Sequence, residues 1–295
     1  MLLLRLLWET LLEWQQDNAT RQGAALAFYA LFACAPLLLV ATAVASAFVG
    51  EQTAGEQLGV QLRVLATDEL AQTIQALMQN SATHRSSGLA AGTLGVVTTL
   101  VAGANGMFQL QSTLNLIWGV RANKRGSVIE VVRSHLLAFA SVITCGLLLL
   151  ASVLGTMALR TLAQRAAETL PAHWALLRAS QELGGFLLAM LLISIVFKTL
   201  SDARPSWRDV LVGAAVSSAL FLLGKHGIAW YLREVSASSV FGAAGAVIAV
   251  LIYAYYTAQV LLFGAEFSFV LARHLGEPIG PGPNAIRVER TFHQA

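Results

Sequence analysis

Charge is what this chain has least of. Only 12% of its 295 residues are Asp, Glu, Lys or Arg, about half the share found in soluble globular domains. Hydrophobic residues make up 56%, and the mean hydropathy is +0.66. A soluble domain so composed would expose apolar surface and aggregate, so the expected solvent is a bilayer. Cysteine is nearly absent as well. Cys34 and Cys145 both lie in apolar runs and read as small packing residues, which excludes a disulfide framework, a thiolate metal site and a redox pair. The six histidines, His84, His135, His173, His226, His274 and His293, have no partner at i+3 or i+4, and no HxH, HExxH or DxD occurs. Metal-assisted hydrolysis needs such clustered ligands, so no metal, cofactor or catalytic residue is expected. GxGxxG, GxxxxGK[ST] and GxSxG are also missing, which argues against an enzyme and against an ATP-driven process within this chain.

What is present is long uncharged runs. Gly23 to Val49, Gly88 to Trp118 and Leu136 to Leu159 carry no charge, and each exceeds the roughly 20 residues that cross a hydrocarbon core as a helix. Leu183 to Phe197 closes at Lys198, Val210 to Gly224 is interrupted by Lys225 and His226 before Leu232, and Val240 to Ala265 ends at Glu266. Because these runs are continuous rather than alternating, they are helices and not barrel strands. The expected fold is all-α: a polytopic membrane protein with a bundle of six transmembrane helices, spanning about 23–49, 88–118, 136–159, 183–200, 210–232 and 240–272, plus amphipathic interfacial and periplasmic helices. Residues 23–275 form this domain. Residues 1–22 form an amphipathic amino-terminal segment with Arg5, Glu9 and Glu13 on one stripe, and its acids and missing cleavage site argue against a signal peptide. Glu51 to Ser87 and Leu162 to Leu177 suggest further amphipathic helix at the outer surface, and the Pro- and Gly-rich stretch 276–295 reads as a flexible cytoplasmic tail.

Tryptophan and arginine place the bundle. Trp8, Trp14, Trp118, Trp174, Trp207 and Trp230 all fall at the edges of apolar runs, where indole favours the headgroup boundary. Alternate sides of the six spans carry twelve and seven Lys and Arg, and the richer side holds both termini. The positive-inside rule puts that side in the cytoplasm. The formal charge of +3 and the pI of about 9.1 are explained by these loops, so no nucleic-acid partner is expected.

Polar groups inside apolar runs are the candidate functional residues, since polarity there is costly. Asn105, Gln109 and Ser112 share one helical stripe, and Gln111 and Asn115 another. They either line a substrate path or mark the emergence of the helix into the interface. Lys225 beside His226 either snorkels to the outer headgroups, about 10 Å away, or lines a cavity. Glu266 is expected to form a structural ion pair with Lys198 or Arg208 at the cytoplasmic end. Pro36, midway along the first span, should kink it, as a packing feature or as a hinge.

Several stretches carry a family resemblance. They are Gly23-Ala24-Ala25-Leu26-Ala27-Phe28-Tyr29-Ala30-Leu31-Phe32 with Pro36, Leu114-Asn115-Leu116-Ile117-Trp118-Gly119-Val120, and Phe197-Lys198 through Asp202-Ala203-Arg204 to Trp207-Arg208-Asp209. Gly224-Lys225, Val240-Phe241-Gly242-Ala243-Ala244-Gly245, Tyr255-Tyr256 and Gly264-Ala265-Glu266-Phe267 complete them. In this order, from Asp17 to Gly276, the chain resembles the YihY/virulence factor BrkB family. The resemblance implies a six-helix bacterial inner-membrane protein of unsettled activity, some members of which have carried the label ribonuclease BN. The expected function is to move or hand over lipid or another amphiphile in envelope biogenesis, with membrane lipids as partners. The alternative is a non-transporting scaffold or anchor for a periplasmic or envelope protein. A membrane-bound ribonuclease is the weakest reading, because the metal ligands and paired acid-base groups it needs are missing.

Overall fold

Two reciprocal bonds start the best-defined helix hairpin. Ser206 Oγ accepts from the Asp209 amide at 3.3 Å, and Asp209 Oδ2 accepts from the Ser206 amide at 3.3 Å and from its hydroxyl at 2.6 Å. This capping box satisfies donors that a helix start otherwise leaves orphaned. In the computed structural model the described residues are 2–32, 103, 105–122, 174–237, 242–283 and 285–288. They form α1 (Leu2–Gln16), α2 (described over 19–32), α3 (described over 105–117), β1 (Val120–Ala122), α4 (Trp174–Leu200), β2 (Ala203–Arg204), α5 (Trp207–Ala237), α6 (Gly242–His274), β3 (Gly280–Pro281) and β4 (Ala285–Arg287). Glu182–Leu200, Trp207–Lys225 and Val247–His274 are long and apolar enough to cross a membrane. They fall on the expected fourth, fifth and sixth spans. Parts of the first two spans are helical in α2 and α3. The third span, Pro36 and the outer segment 51–87 lie outside the described residues.

The α5–α6 pair is a close antiparallel seam. Ser268 Oγ donates to Asp209 O at 2.9 Å, Ser217 Oγ to Val260 O at 3.1 Å and Tyr256 OH to Leu220 O at 2.6 Å. Between the first two rungs Gly213 faces Gly264. A Cβ on either would stand 2.6 Å from the other's carbonyl oxygen and would run into Ser268 or Ser217. Small residues four apart on both helices therefore let the backbones approach, the arrangement favoured where lipid supplies no hydrophobic drive between helices. Farther along, Gly224 makes room for the Tyr256 ring. On the opposite flank α2 meets α6 at Gly23, where Gln259 occupies the space a side chain would need and donates to the carbonyls of Ala19 and Thr20, both at 3.3 Å.

The tightest core lies at one end of this bundle. Leu114, Ile117, Trp118, Phe197, Val210 and Leu262 are all buried there. Trp118 corrects the boundary reading. It is 1% exposed, its ring meets Phe197 edge-on at 5.9 Å, and its Nε1 donates to Ala265 O at 3.2 Å. The indole is held by the fold rather than by headgroups, because that carbonyl satisfies its only donor. Trp8 and Trp207 are exposed, as boundary residues would be.

In the stretch that composition marks as a flexible tail, residues 276–283 and 285–288 are described and include two short strands. Gly276, at φ 77°, ends α6 with the paired bonds Glu277 N to Ala272 O at 3.1 Å and Gly276 N to Arg273 O at 3.3 Å. This is a left-handed helix stop that suits glycine. The chain then pairs antiparallel, β3 with β2 and β4 with β1. Ile279 is buried, and Gly282 donates to Asp202 O at 2.8 Å. Proline and glycine here serve short edge strands and turns.

Candidate functional site

The polar residues of α3 divide into two sets. Gln109 of the expected stripe turns inward: its Nε2 donates to Gln22 Oε1 of α2 at 2.8 Å and lies 3.4 Å from Thr113 Oγ1. Thr113, itself buried, donates to Gln109 O at 2.8 Å. Asn105 and Ser112, one turn to either side of Gln109, are exposed and make no side-chain hydrogen bond among the described residues. One stripe thus carries both a locked amide and two open polar groups.

The second set was the less prominent in the sequence and is the more tightly built. Asn115, almost fully buried, holds the turn between α4 and α5 from both ends of its amide. Its Nδ2 donates to Asp202 Oδ2 at 2.7 Å, and its Oδ1 accepts from Ser201 Oγ at 2.8 Å and from the Asp202 amide at 2.9 Å. Gln111 Nε2 reaches Asp202 Oδ1 at 3.4 Å. The signal available in the sequence was an amide enclosed by Leu114, Leu116, Ile117 and Trp118, which needs a polar partner if it is buried.

The cationic candidates end in different places. Lys225 is half-buried on α5, a helix that continues unbroken past it to Ala237. His226 is part of the same helix, but its side chain lies outside the described residues. Lys198 does not pair with Glu266. Its Nζ donates to Pro205 O at 2.7 Å and sits 5.4 Å from the centre of the Trp207 ring. The turn between α4 and α5 brings that carbonyl and ring to the lysine, while Glu266 is fully buried on α6 beneath the Trp118 contact. Arg208 is exposed and makes no ion pair among the described residues, so the expected Arg208–Glu266 pair is likewise absent.

An ionic cluster does form between α1 and the end of α6. Arg273 reaches Glu13 at 2.8 Å and Glu9 at 3.6 Å, His274 Nε2 lies 3.5 Å from Glu9, and Arg5 holds Glu9 at 3.0 Å. Leu6 packs with Phe267 and Val270 beneath these charges, while Leu4, Trp8 and Leu11 point away, exposed. Partial burial raises the Glu9 pKa, but the Arg5 hydrogen bond and the charges of His274, Arg5 and Arg273 outweigh it and hold the carboxyl below its ordinary 4.5. The stripe of Arg5, Glu9 and Glu13 was visible in the sequence; its partners, 260 residues away for Glu13 and Arg273, were not.

Among the described residues no three His, Cys, Asp or Glu come together as a metal site. Three apolar spans, a seam of small residues and an amphipathic helix clamped across one end define a helical membrane protein. The virulence factor BrkB family model matches residues 10–288, and the chain belongs to that family. It is 25% identical to a UPF0761 membrane protein of Stenotrophomonas maltophilia over 93% of this chain and 62% of that one. It is 28% identical to a UPF0761 membrane protein of Methylibium petroleiphilum over 91% and 63%, and 25% identical to one of Legionella pneumophila over 88% and 60%. The chain thus spans about three-fifths of the length of these relatives, whose names state a membrane location and no activity. No solved structure matches it.

Proposed function

We propose that this protein moves or hands over lipid or another amphiphile in the bacterial inner membrane, with both termini in the cytoplasm, as part of envelope biogenesis. The observation that carries this reading is the pair of open polar groups on α3. Asn105 and Ser112 lie within an uncharged run and make no side-chain hydrogen bond among the described residues, whereas Gln109, Thr113 and Asn115 of the same helix are all bonded. A polar group in such a run that the described residues leave without a partner is suited to a ligand's polar part. Lys225 adds a cation on α5 that would favour an anionic headgroup. Nothing in this inventory supplies an energy source, so movement would follow the lipid gradient or a partner's work.

The test is reconstitution of the purified protein in liposomes with a headgroup-labelled lipid, comparing wild type with an Asn105→Leu, Ser112→Ala variant. Loss of leaflet crossing with unchanged thermal unfolding supports the proposal. Equal rates in the two proteins would remove the stripe from it. A wild-type protein that moves no lipid would leave the scaffold or anchor role, with an envelope protein as partner, as the better reading.

A further inference from the structure

The end of the bundle that gathers residues 118–122, 198–209 and 275–288 carries an imbalance separate from the lipid-path proposal. Arg5 and Arg273 there are committed to Glu9 and Glu13. Four other arginines, Arg121, Arg204, Arg208 and Arg287, are exposed and make no ion pair or side-chain hydrogen bond among the described residues. The strand pairings gather their backbones at this end, with Arg121 and Arg287 on alternate faces of one ladder. Arg121 lies opposite Ile286 and Val120 opposite Arg287 in one ladder, Arg204 lies opposite Gly280 in the other, and Arg208 is the second residue of α5. Of the acids nearby, Asp202 is engaged by Asn115 and Asp209 by Ser206, and the exposed Glu277 stands alone against the four arginines.

The surroundings indicate the partner. Trp207 is 57% exposed, starts the apolar span Trp207–Lys225 and carries the Lys198 ammonium over its ring. Ile286 and Val288 are exposed beside the arginines. Uncommitted guanidiniums, an exposed indole and aliphatic side chains at the mouth of a span match the headgroup layer of a bilayer, where phosphates meet the first methylenes. A nucleic acid or an acidic protein would be served by the charges but not by apolar groups at the span boundary. We propose that this plate, built from the two ladders and the start of α5, binds the phosphate headgroups of anionic phospholipids in the adjoining leaflet. The segment after Gly276 is part of the site, because β3 and β4 hold or carry three of the four arginine-bearing positions, Arg204, Arg121 and Arg287. Guanidinium forks match phosphate oxygens, so the plate also selects a phosphodiester over a zwitterionic neighbour.

The test is native mass spectrometry of the full-length protein in detergent, titrated with phosphatidylglycerol, diphosphatidylglycerol or phosphatidylethanolamine, with leaflet crossing not measured at all. Wild type should retain the anionic lipids over phosphatidylethanolamine, and added salt should weaken that preference. Each arginine near a charged surface is worth about fivefold in affinity. Arg121→Gln, Arg204→Gln and Arg287→Gln together should therefore lower binding on the order of a hundredfold. The matching three Arg→Lys changes should keep most of it, and Arg5→Gln, which alters an arginine already paired, should leave it unchanged. If the triple Gln variant unfolds, the salt-dependent preference of the wild type and the Lys variant still decide the matter. Equal retention of anionic and zwitterionic lipid, or displacement of bound lipid by a short RNA or an acidic peptide at lower concentration, would overturn the proposal.

Discussion

Replacing Gly264 by Ala probes the α5–α6 seam at its closest point. The new Cβ would stand 2.6 Å from Gly213 O and would meet Ser217 Oγ. The helices must part by several tenths of an ångström, which stretches the Ser217–Val260 bond of 3.1 Å and the Ser268–Asp209 bond of 2.9 Å. Overpacking costs about 1–3 kcal/mol, and weakening two interhelical bonds adds about 1 kcal/mol. The better helix propensity of alanine returns about 1 kcal/mol. The expected net loss is about 1–3 kcal/mol, read as a fall of several degrees in the unfolding midpoint of the detergent-purified protein. Gly184→Ala is the internal control. A Cβ there meets nothing within 4 Å, so only the propensity gain applies and stability should hold or rise. A Gly264→Ala protein as stable as the Gly184→Ala protein would refute the seam.

Three further outcomes are expected. Asn115→Ala removes three of the four bonds that hold the Asp202 turn from α3, leaving only Gln111, and leaves a partly buried carboxylate with fewer donors; a loss of about 2 kcal/mol should appear as a lower unfolding midpoint, and an unchanged midpoint would show that the turn holds itself. Because the Glu9 pKa is lowered in the fold, its contribution is complete above the ordinary value of 4.5 and is lost as pH falls through the lower folded value. The distance between spin labels on α1 and α6 should therefore stay constant at neutral pH and broaden only under strong acid, and broadening already near pH 6 would contradict this. With Cys34 and Cys145 replaced, a cysteine in place of Leu70 should react with an impermeant reagent from the periplasmic side, and reaction only from the cytoplasmic side would reverse the topology.

The last three spans were legible because charge is scarce: Lys198, Lys225 and Glu266 interrupt runs that otherwise have the length of a bilayer crossing. The ends of α5 and α6 were less so, since α5 passes Lys225 without a break and runs to Ala237. Periodicity shows that Gly213, Ser217, Gly264 and Ser268 are small, but not that they face one another, which depends on the rotation and register of two helices. The Lys198–Glu266 pairing failed for a related reason. Comparable depth does not fix azimuth, and the Pro205 carbonyl and Trp207 ring reach the lysine through a short turn. The strand pairing within the tail was not legible because proline and glycine mark disorder and tight edge pairing alike, and only the partners β1 and β2 separate the two. Asn105 and Ser112 were found as polar residues on one stripe; that Gln109 between them is locked to Gln22 depends on the approach of α2, which the sequence does not encode locally.

The most direct measurement is the dithionite-sensitive fraction of a headgroup-labelled phospholipid in liposomes holding the purified wild-type protein. Protein-free vesicles protect the label of the inner leaflet. Lipid movement predicts that this protected fraction disappears with protein present, and that Lys225→Met slows its loss while unfolding at the wild-type temperature. Full protection in vesicles shown to contain folded protein would contradict lipid movement by this chain.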